Sequence, residues 1–447
     1  MTAHKVLPSQ ILLLDKSETF RNNTIDMAIK VNDHFDNELL VKAMNQEIQR
    51  NEGLRLHCFK KFFKWYNTIN DAYTINEIKT FDLSNSTKQE IESYIDKLCA
   101  TQIRLKTAKY PFEIYQIIVA DCDYLLLRVL HVNMDAYAVL LTLSDLLKVY
   151  YSLKNDTPLS EELSSIETYI ENFEKNEEKI IAKTEEDNKF FIDLNDSMGE
   201  PQYLSCAGGI DTTSHRVKYS VYKNHPCSYV YEKINKEEAS LCLKYCEENH
   251  INISTLFLAI LEIYYSAVND GFDDVSMFFS ANLRAKLSEK KLPFSTSSAI
   301  FYRRKINKDI SLKDFIKECD NEYLTDLKHG HMDISAIMKY LLMVDMLHFN
   351  GRYDQMVFTL LPSQFDGLPE GTSVEPYWPK AKEANDYIVY FIVLLNNDGS
   401  INTFYRYLDD MLNKEDIMRL HNGVLDIISN GIANPDIKVN DLMKLIK

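Results

Sequence analysis

The chain has 447 residues, of which 45% are hydrophobic and 26% are charged, and its formal net charge is −16. A chain of this length is usually too long for a single hydrophobic core, so we expect two domains. The negative charge disfavours nucleic-acid binding, because phosphate binding needs clustered lysine and arginine. The longest apolar run, residues 387–395, is about half as long as a membrane span. Eight cysteines without regular spacing indicate reduced thiols. We therefore expect a cytoplasmic protein that binds neither membrane nor nucleic acid.

The first quarter of the chain alternates strands and helices. Thr24 to Val31 is predicted as an alternating strand, and Asp36 is predicted to cap a helix with an apolar face. Lys60-Lys61 and Lys64, the nearest approach to a basic run, alternate with Phe62, Phe63 and Trp65. That alternation is typical of a strand with one solvated face, so we interpret residues 56–65 as a single strand. A further strand (73–81) and a helix (87–99) are predicted to follow.

A buried strand and a helix meet within residues 124–150. The apolar run that starts at Tyr124 predicts the second strand of a hairpin, paired with residues 112–119. Apolar residues at helical spacing follow from Val139 to Tyr150. At the joint itself the ionisable groups are His131 and, four residues later, Asp135. A histidine at the end of a buried strand, with an acid at the start of the next helix, is one way to fix an imidazole in a cleft.

The composition changes after residue 151, where a stretch rich in Glu and Lys (161–187) predicts exposed helices. We place the boundary there and divide the chain into 1–178 and 179–447. The second part again begins with a strand and a helix, and Ser254 is predicted to cap a second, buried helix. Strands, a closing hairpin and a last helix that starts at Asn413 are predicted to follow, so the predicted class is α/β with mixed sheets.

Two sets of potential metal ligands occur in the second part. Cys242, Cys246 and His250 lie on one stripe of a predicted helix, but no fourth ligand is near them in sequence, and a structural zinc site needs four. His329 and His331 are predicted in a loop. We expect no metal site.

Several short patterns in sequence order resemble the condensation domains of non-ribosomal peptide synthetases. Their His-His-x-x-x-Asp-Gly motif at a strand-to-helix joint corresponds here to Leu130-His131-Val132-Asn133-Met134-Asp135-Ala136. Ser9-Gln10 resembles the family's opening Ser/Ala-x-Gln element, and Asn51-Glu52-Gly53-Leu54-Arg55 resembles its Arg-His-Glu-x-Leu-Arg stretch. Asn282-Leu283-Arg284 lies where the family has an arginine after a strand.

The sequence also departs from this pattern. Leu130 replaces the first histidine, Ala136 replaces the glycine, and Pro293 to Ser298 replaces the family's Gly-x-Phe-x-Asn-Thr segment. The resemblance, which extends over nearly the whole chain, implies two chloramphenicol-acetyltransferase-like lobes with mixed sheets, arranged as a V-shaped pseudo-dimer with a central tunnel. It implies no bound cofactor, because the substrate arrives as a thioester on a phosphopantetheine arm or on coenzyme A.

The resemblance implies a role for each motif residue. His131 is the expected catalytic residue, which would take or orient the proton of an attacking amine or hydroxyl; a core histidine that bonds a backbone carbonyl is the alternative. Asp135 is expected to support the site structurally, with Arg284 as its candidate partner. Leu130, Asn133 and Ala136 are candidates for the substrate channel, although for Asn133 we favour a helix cap.

Three functions stay open at this point. The first is a condensation enzyme that forms an amide between a carrier-protein-bound acyl or aminoacyl thioester and an amine in natural-product biosynthesis. The second is an O-acyltransferase that uses an acyl thioester and an alcohol. The third is a degenerate member that recruits carrier proteins without catalysis. Lys380 and Lys382 are possible contacts for coenzyme A or a carrier protein, with solvated surface lysines as the alternative, and Arg55 is expected to pair with acids of the fold.

Overall fold

The computed structural model describes residues 2–446, except 8–9, 12, 15–23, 160–161, 200–203, 209–224, 349–355, 363–364, 381–382, 385–386 and 397. The chain forms two compact units. The first contains residues 1–178 together with 282–297 and 363–381, and the second contains 179–281, 298–362 and 382–447. Two segments that follow residue 179 in sequence therefore belong to the first unit.

A five-stranded mixed sheet organises the first unit. Its strand order is β12-β2-β7-β6-β5, and the strands are β2 (Thr24–Val31), β5 (Lys79–Asp82), β6 (Phe112–Ile118), β7 (Asp123–Leu130) and β12 (Val374–Tyr377). The predicted hairpin is present, since β6 and β7 pair antiparallel, while β5 and β6 are parallel. The predicted strand 73–81 is shorter than expected, because only its last residues pair with β6.

Residues 56–65 do not form the single strand that the sequence predicted. The chain folds back as an antiparallel hairpin of β3 (Leu56–Lys61) and β4 (Lys64–Ile69). Together with β1 (His4–Lys5) they make a three-stranded sheet of order β1-β4-β3. The turn lies at Phe62 and Phe63, which both have positive φ angles. Phenylalanine does not favour such a turn, so the sequence did not predict a turn at these two positions.

The helices of the first unit begin where side-chain caps are available. They are α1 (Asn37–Arg50), α2 (Lys88–Cys99), α3 (Ala136–Asn155) and α4 (Ile166–Lys175), and α5 (Glu177–Ser197) begins at the end of this unit. Asp36 caps α1 as predicted, and Thr87 with Glu90 forms a capping box on α2. Helix α2 packs its buried face on the five-stranded sheet through Ile91 and Ile95, and α1 packs against α3.

The second unit is built on a seven-stranded mixed sheet of order β10-β9-β11-β14-β15-β8-β13. Its strands are β8 (His225–Ile234), β9 (Asp274–Asn282), β10 (Ser297–Lys305), β11 (Met356–Leu361), β13 (Glu383–Ala384), β14 (Val389–Leu395) and β15 (Ile401–Leu408). β11 is parallel to β9 and β14, whereas β15 is antiparallel to β14 and β8. The mixed α/β class predicted from the sequence is confirmed.

The helices of the second unit include three that the sequence analysis missed. They are α6 (Lys236–Asn249), α7 (Ile253–Val268), α8 (Leu312–Lys328), α9 (Ile334–His348), α10 (Lys414–Ile427) and α11 (Val439–Met443), and the missed ones are α8, α9 and α11. Helix α7 is capped by Asn252, not by Ser254, because the asparagine reaches the Ser254 amide at 2.8 Å. The Asn413–Asp416 capping box starts α10.

Within the described residues, no single helix has the length and apolarity to cross a membrane. The pair α6 and α7 passes that test only when taken together, and the chain bends by 115° between them. All eight cysteines are free thiols, and seven of them are buried.

Candidate active site

Strand β7 fixes the point from which the motif loop starts. All eight of its residues are buried, and it lies between β2 and β6 in the sheet. At its end the Leu130 amide donates to the Pro111 carbonyl at 2.9 Å, and the Leu130 side chain joins a core cluster with Val132. His131 therefore follows a strand end that is held by hydrogen bonds and by packing.

The loop turns sharply from strand to helix. The amides of Asn133 and Met134 both donate to the Leu130 carbonyl, at 2.9 and 3.3 Å. The Asp135 carboxylate accepts from the Ala138 amide at 2.9 Å, so Asp135 is the N-cap of α3. The helix consequently begins at Ala136, a partly buried residue.

The cap predicted for Asn133 is wrong. Its side-chain amide donates to the carbonyls of Gly53 and Leu56, at 3.0 and 2.9 Å, and its main-chain carbonyl accepts from the Ser295 amide at 3.0 Å. Asn133 is buried and thus ties the motif loop to two other parts of the first unit. With its amide engaged in this way, it is a fold residue rather than a free donor to a substrate.

The structure brings Asp135 and Arg284 together. The guanidinium forms a bidentate pair with the carboxylate, with two N–O distances of 3.0 Å, and both side chains are nearly inaccessible to solvent. Arg284 also donates to the Asn282 side chain at 2.9 Å and to the Phe294 carbonyl. Its guanidinium carbon lies 4.6 Å from the centre of the Tyr137 ring.

Two further donors reach Asp135 from the segment that follows Arg284. The amides of Thr296 and Ser297 donate to its second oxygen at 2.9 and 3.0 Å. Burial by itself disfavours ionisation, but the charge and hydrogen bonds of Arg284 and the surrounding amides outweigh it, so the pKa of Asp135 is lowered from 3.8. Sequence reasoning missed these amides, since it saw in residues 293–298 only a departure from the family pattern.

His131 is partly buried, and its Nδ1 atom is enclosed without a hydrogen-bond partner in the described part of the chain. Burial lowers the pKa of its imidazole from 6.5, and the backbone groups of His131 and Met134 together with the charge of Asp135 oppose this effect without reversing it. The lowered pKa favours the neutral form of the side chain. A neutral imidazole can accept a proton from a nucleophile that reaches one of its ring nitrogens.

Gln10 supports the loop on the side of Val132. Its side-chain nitrogen donates to the Val132 carbonyl at 2.8 Å, while its side-chain oxygen accepts from the Leu7 amide at 3.0 Å. Gln10 is fully buried. The neighbouring Ser9 of the same motif lies outside the described residues. The opening element thus bonds directly to the residue after His131.

The segment around Gly53 holds the opposite side of the loop. A side chain at Gly53 would place its first carbon 2.2 Å from the Pro293 carbonyl oxygen, so the close approach requires glycine. Glu52 accepts from amides at the start of α4, among them that of Glu167 at 3.0 Å. Arg55 donates to the Asn70 carbonyl at 2.7 Å and, more weakly, to the Gln49 carbonyl, whereas an acidic partner was expected for it.

Lys380 is engaged with α2. Its amide donates to Asp96 at 2.8 Å, and its ammonium lies 3.7 Å from the Glu92 carboxylate. Lys382 falls outside the described residues. Lys380 therefore connects its segment to α2 within the first unit.

The two cysteines and the histidine of the predicted helical stripe differ in their environments. Cys242 and Cys246 are buried on α6, and His250 ends that helix in a left-handed conformation.

His329, from the second set of potential metal ligands, forms a hydrogen bond with Asp187 at 2.8 Å and stacks on Phe190. Glu186, Asp187 and His329 are close enough to hold a metal ion. The Lys183 ammonium already forms ion pairs with both carboxylates, at 3.2 Å to Glu186 and 2.8 Å to Asp187.

Comparisons with known proteins agree on one family. The family model described as "Condensation domain" matches residues 4–446, and the chain belongs to this family. It is 21% identical over 437 residues to a plipastatin synthase from Bacillus subtilis (strain 168), an alignment that covers 96% of this chain and 16% of that protein. The chain thus spans about a sixth of the length of this relative.

Solved structures share the fold of the whole chain. The first condensation domain of the calcium-dependent antibiotic synthetase, in complex with a substrate analogue, is 14% identical, with a TM-score of 0.78 and 98% of each chain covered. A variant of the starter condensation domain of rhizomide synthetase in complex with C8-CoA is also 14% identical, with a TM-score of 0.77, covering 98% of this chain and 97% of that one. The two-lobed mixed α/β architecture is therefore that of condensation domains.

Proposed function

We propose that this protein is an acyltransferase of the condensation type, which joins an acyl or aminoacyl thioester carried on phosphopantetheine to an amine. The single observation that carries this is the position of His131, whose partly buried imidazole follows a strand end that is held by hydrogen bonds and by packing. Asp135 and Arg284 act as positioning residues, because they hold the loop and reach no reacting atom.

In this proposal His131 takes the proton of the attacking amine as its nitrogen adds to the thioester carbonyl. The C–N bond forms, the C–S bond breaks, and the thiol of the phosphopantetheine arm leaves with a proton. Carrier proteins would deliver the thioester, and a small-molecule amine or a second carrier-bound amine would accept the acyl group. The proposed step needs only the histidine and the two substrates.

An alcohol acceptor with a coenzyme A or carrier-bound donor is the second candidate. It uses the same histidine, and it is supported by the similarity to a starter condensation domain that was solved in complex with C8-CoA. A non-catalytic recruitment role is the third candidate, and the replacements Leu130 and Ala136 in the motif favour it.

A mass-spectrometric transfer assay tests these alternatives. Acyl thioesters on a loaded carrier protein and on coenzyme A are offered with amine and alcohol acceptors to the wild type, His131→Ala and His331→Ala, the last being an exposed histidine that serves as the control. We expect product to fall by roughly 10²-fold or more in His131→Ala and to be unchanged in the control. The wild-type rate should rise with pH to a plateau, with its midpoint below 6.5, because the pKa of His131 is lowered. Equal rates in both variants would remove His131 from the chemistry.

A further inference from the structure

Two stretches of the first unit contain lysine and arginine but no acidic residue. The chain has 66 Asp and Glu residues in 447, yet residues 53–70 and 97–112 include none. Both stretches are rich in cations. Each stretch therefore carries a net positive charge, and the positions of the two stretches in the fold decide whether that charge is concentrated.

The fold packs these two stretches together in the first unit. Cys58 of the hairpin shares a core cluster with Ile103 and Leu105, and Trp65 and Ala108 pack against the same cluster. Seven cations of the two stretches are exposed. Lys97 lies on α2, and we call the other six the basic face: Lys60, Lys61, Lys64, Arg104, Lys106 and Lys109. A protein of net charge −16 thus presents a local positive surface.

The hairpin ends in two phenylalanines that project into solvent. Phe62 is 85% exposed and Phe63 is 95% exposed, and their φ angles are +46° and +65°. Bulky side chains disfavour this left-handed region, and a two-residue turn of this kind is formed most readily by Asn-Gly. The exposed phenyl rings and the positive φ angles of Phe62 and Phe63 do not stabilise the protein on its own. The two residues therefore indicate that the tip binds a ligand outside the chain.

We propose that the basic face and the Phe62–Phe63 tip bind the surface of an anionic lipid bilayer. The two phenyl rings would insert among the acyl chains while the cations of the basic face contact lipid phosphates. Lysine is depleted in protein–protein interfaces but effective near anionic lipid, which favours a membrane over a protein partner. A convex tip also suits a bilayer better than single-stranded nucleic acid, which binds in a groove.

This inference does not depend on the proposed acyl transfer. The sequence predicted no membrane partner because no segment is long enough to span one, whereas surface binding needs no span. The core cluster beneath the basic face also contains Leu130 and Val132, which flank His131. Binding there would hold the motif loop near a lipid surface.

Co-sedimentation of the full chain with vesicles tests the proposal. Vesicles of phosphatidylcholine alone are compared with vesicles that also contain phosphatidylserine. We expect binding only to the anionic vesicles and a steep loss with added salt. The variant F62N/F63G should bind roughly 100-fold or more weakly, since two large apolar side chains are lost. The variant K60Q/K61Q/K64Q should also lose roughly 100-fold.

The turn variant is chosen to keep the fold intact. Asn-Gly favours the observed turn, so its melting temperature should equal or exceed that of the wild type. Phe272→Ser, at another exposed phenylalanine, and K313Q/K317Q/K328Q, on exposed positions of α8, serve as controls and should bind like the wild type.

Several results would overturn the proposal. Absence of wild-type binding to anionic vesicles would do so, as would equal binding to neutral ones or undiminished binding by F62N/F63G. Sedimentation of the free protein as a dimer that F62N/F63G abolishes would assign the tip to a second copy of the chain. Tighter binding to a single-stranded oligonucleotide than to the anionic vesicles would assign the face to nucleic acid.

Discussion

Asp135 is the residue on which the loop around His131 depends, because its two oxygens accept from three parts of the chain. Arg284, the amides of Thr296 and Ser297, and the Ala138 amide all donate to it. The sequence identified the acid and proposed its arginine partner from family resemblance. It did not reveal the amide donors, since main-chain groups leave no mark in a motif.

Removing the arginine should destabilise the first unit strongly. Arg284→Met leaves a buried carboxylate without its counter-charge, and we expect the free energy of unfolding to fall by roughly 3–5 kcal/mol. Urea unfolding followed by circular dichroism measures this. Lys286→Met is the control, because Lys286 is 78% exposed, and it should change stability by no more than about 0.5 kcal/mol. A loss in Arg284→Met no larger than in the control would contradict a stabilising pair.

The Asp135 carboxylate should make the free energy of unfolding depend on pH in the acid range. The folded-state pKa of Asp135 is lowered from 3.8, so its contribution is present above that value and is lost as the pH falls through the folded pKa. The stability difference between the wild type and Asp135→Asn should therefore be constant near neutrality and shrink below pH 3.8. Unfolding measurements across the acid range test this, and a difference that does not vary with pH would refute it.

Helices were predicted best where side chains cap them. The side chains of Asp36, Thr87 and Asn413 each accept a hydrogen bond from the amide three residues later, so both partners are near in sequence. The Phe62–Phe63 turn was missed because its residues contradict turn preference. Helix α8 was missed although buried Leu312, Phe315, Ile316 and Cys319 follow helical spacing.

Helix α7 buries an acid that should titrate near pH 8. Glu262 accepts from the Tyr302 hydroxyl on β10 and from the Cys319 thiol on α8. Burial raises its pKa from 4.5 to about 8, with further influence from Glu322 and Arg304. Because the folded-state pKa is raised, stability is greatest below pH 4.5 and declines until the pH passes about 8.

Glu262→Gln should remove that decline. Between pH 4.5 and about 8 the wild type should lose stability relative to this variant, by up to about 1.4 kcal/mol for each pH unit. Thermal unfolding at a series of pH values provides the measurement, with Glu318→Gln, an exposed position on α8, as the control. Identical slopes in wild type and Glu262→Gln would show that Glu262 ionises normally.

At the scale of the whole molecule, the first unit is assembled from segments far apart in the chain. Residues 282–297 and 363–381 join 1–178 in it, and β12 from the last segment pairs with β2. The sequence-based division at residue 178 places both segments in the second domain. Composition marks changes along the chain, whereas unit membership depends on contacts between distant residues.

Native-state hydrogen exchange should show this shared membership. The amides of Thr296 and Ser297 bond a carboxylate of the first unit, so we expect their protection to match that of β7 under conditions of global opening. Arg284→Met should lower the protection of both regions together. Exchange of residues 296–297 as fast as that of an exposed loop, with β7 protected, would show that the segment opens independently.

Sequence patterns predicted most of the strands and helices, the helix starts at Asp36, Thr87 and Asn413, and the strand-to-helix joint that carries His131. These follow from periodicity and short-range hydrogen bonds, which neighbouring residues specify. The fold added that Thr296 and Ser297 join Arg284 in holding Asp135, that Asn133 bonds Gly53 and Leu56, and that two acid-free stretches form one basic face. Those arrangements depend on packing between residues distant in the chain, and a single sequence does not record which distant residues meet.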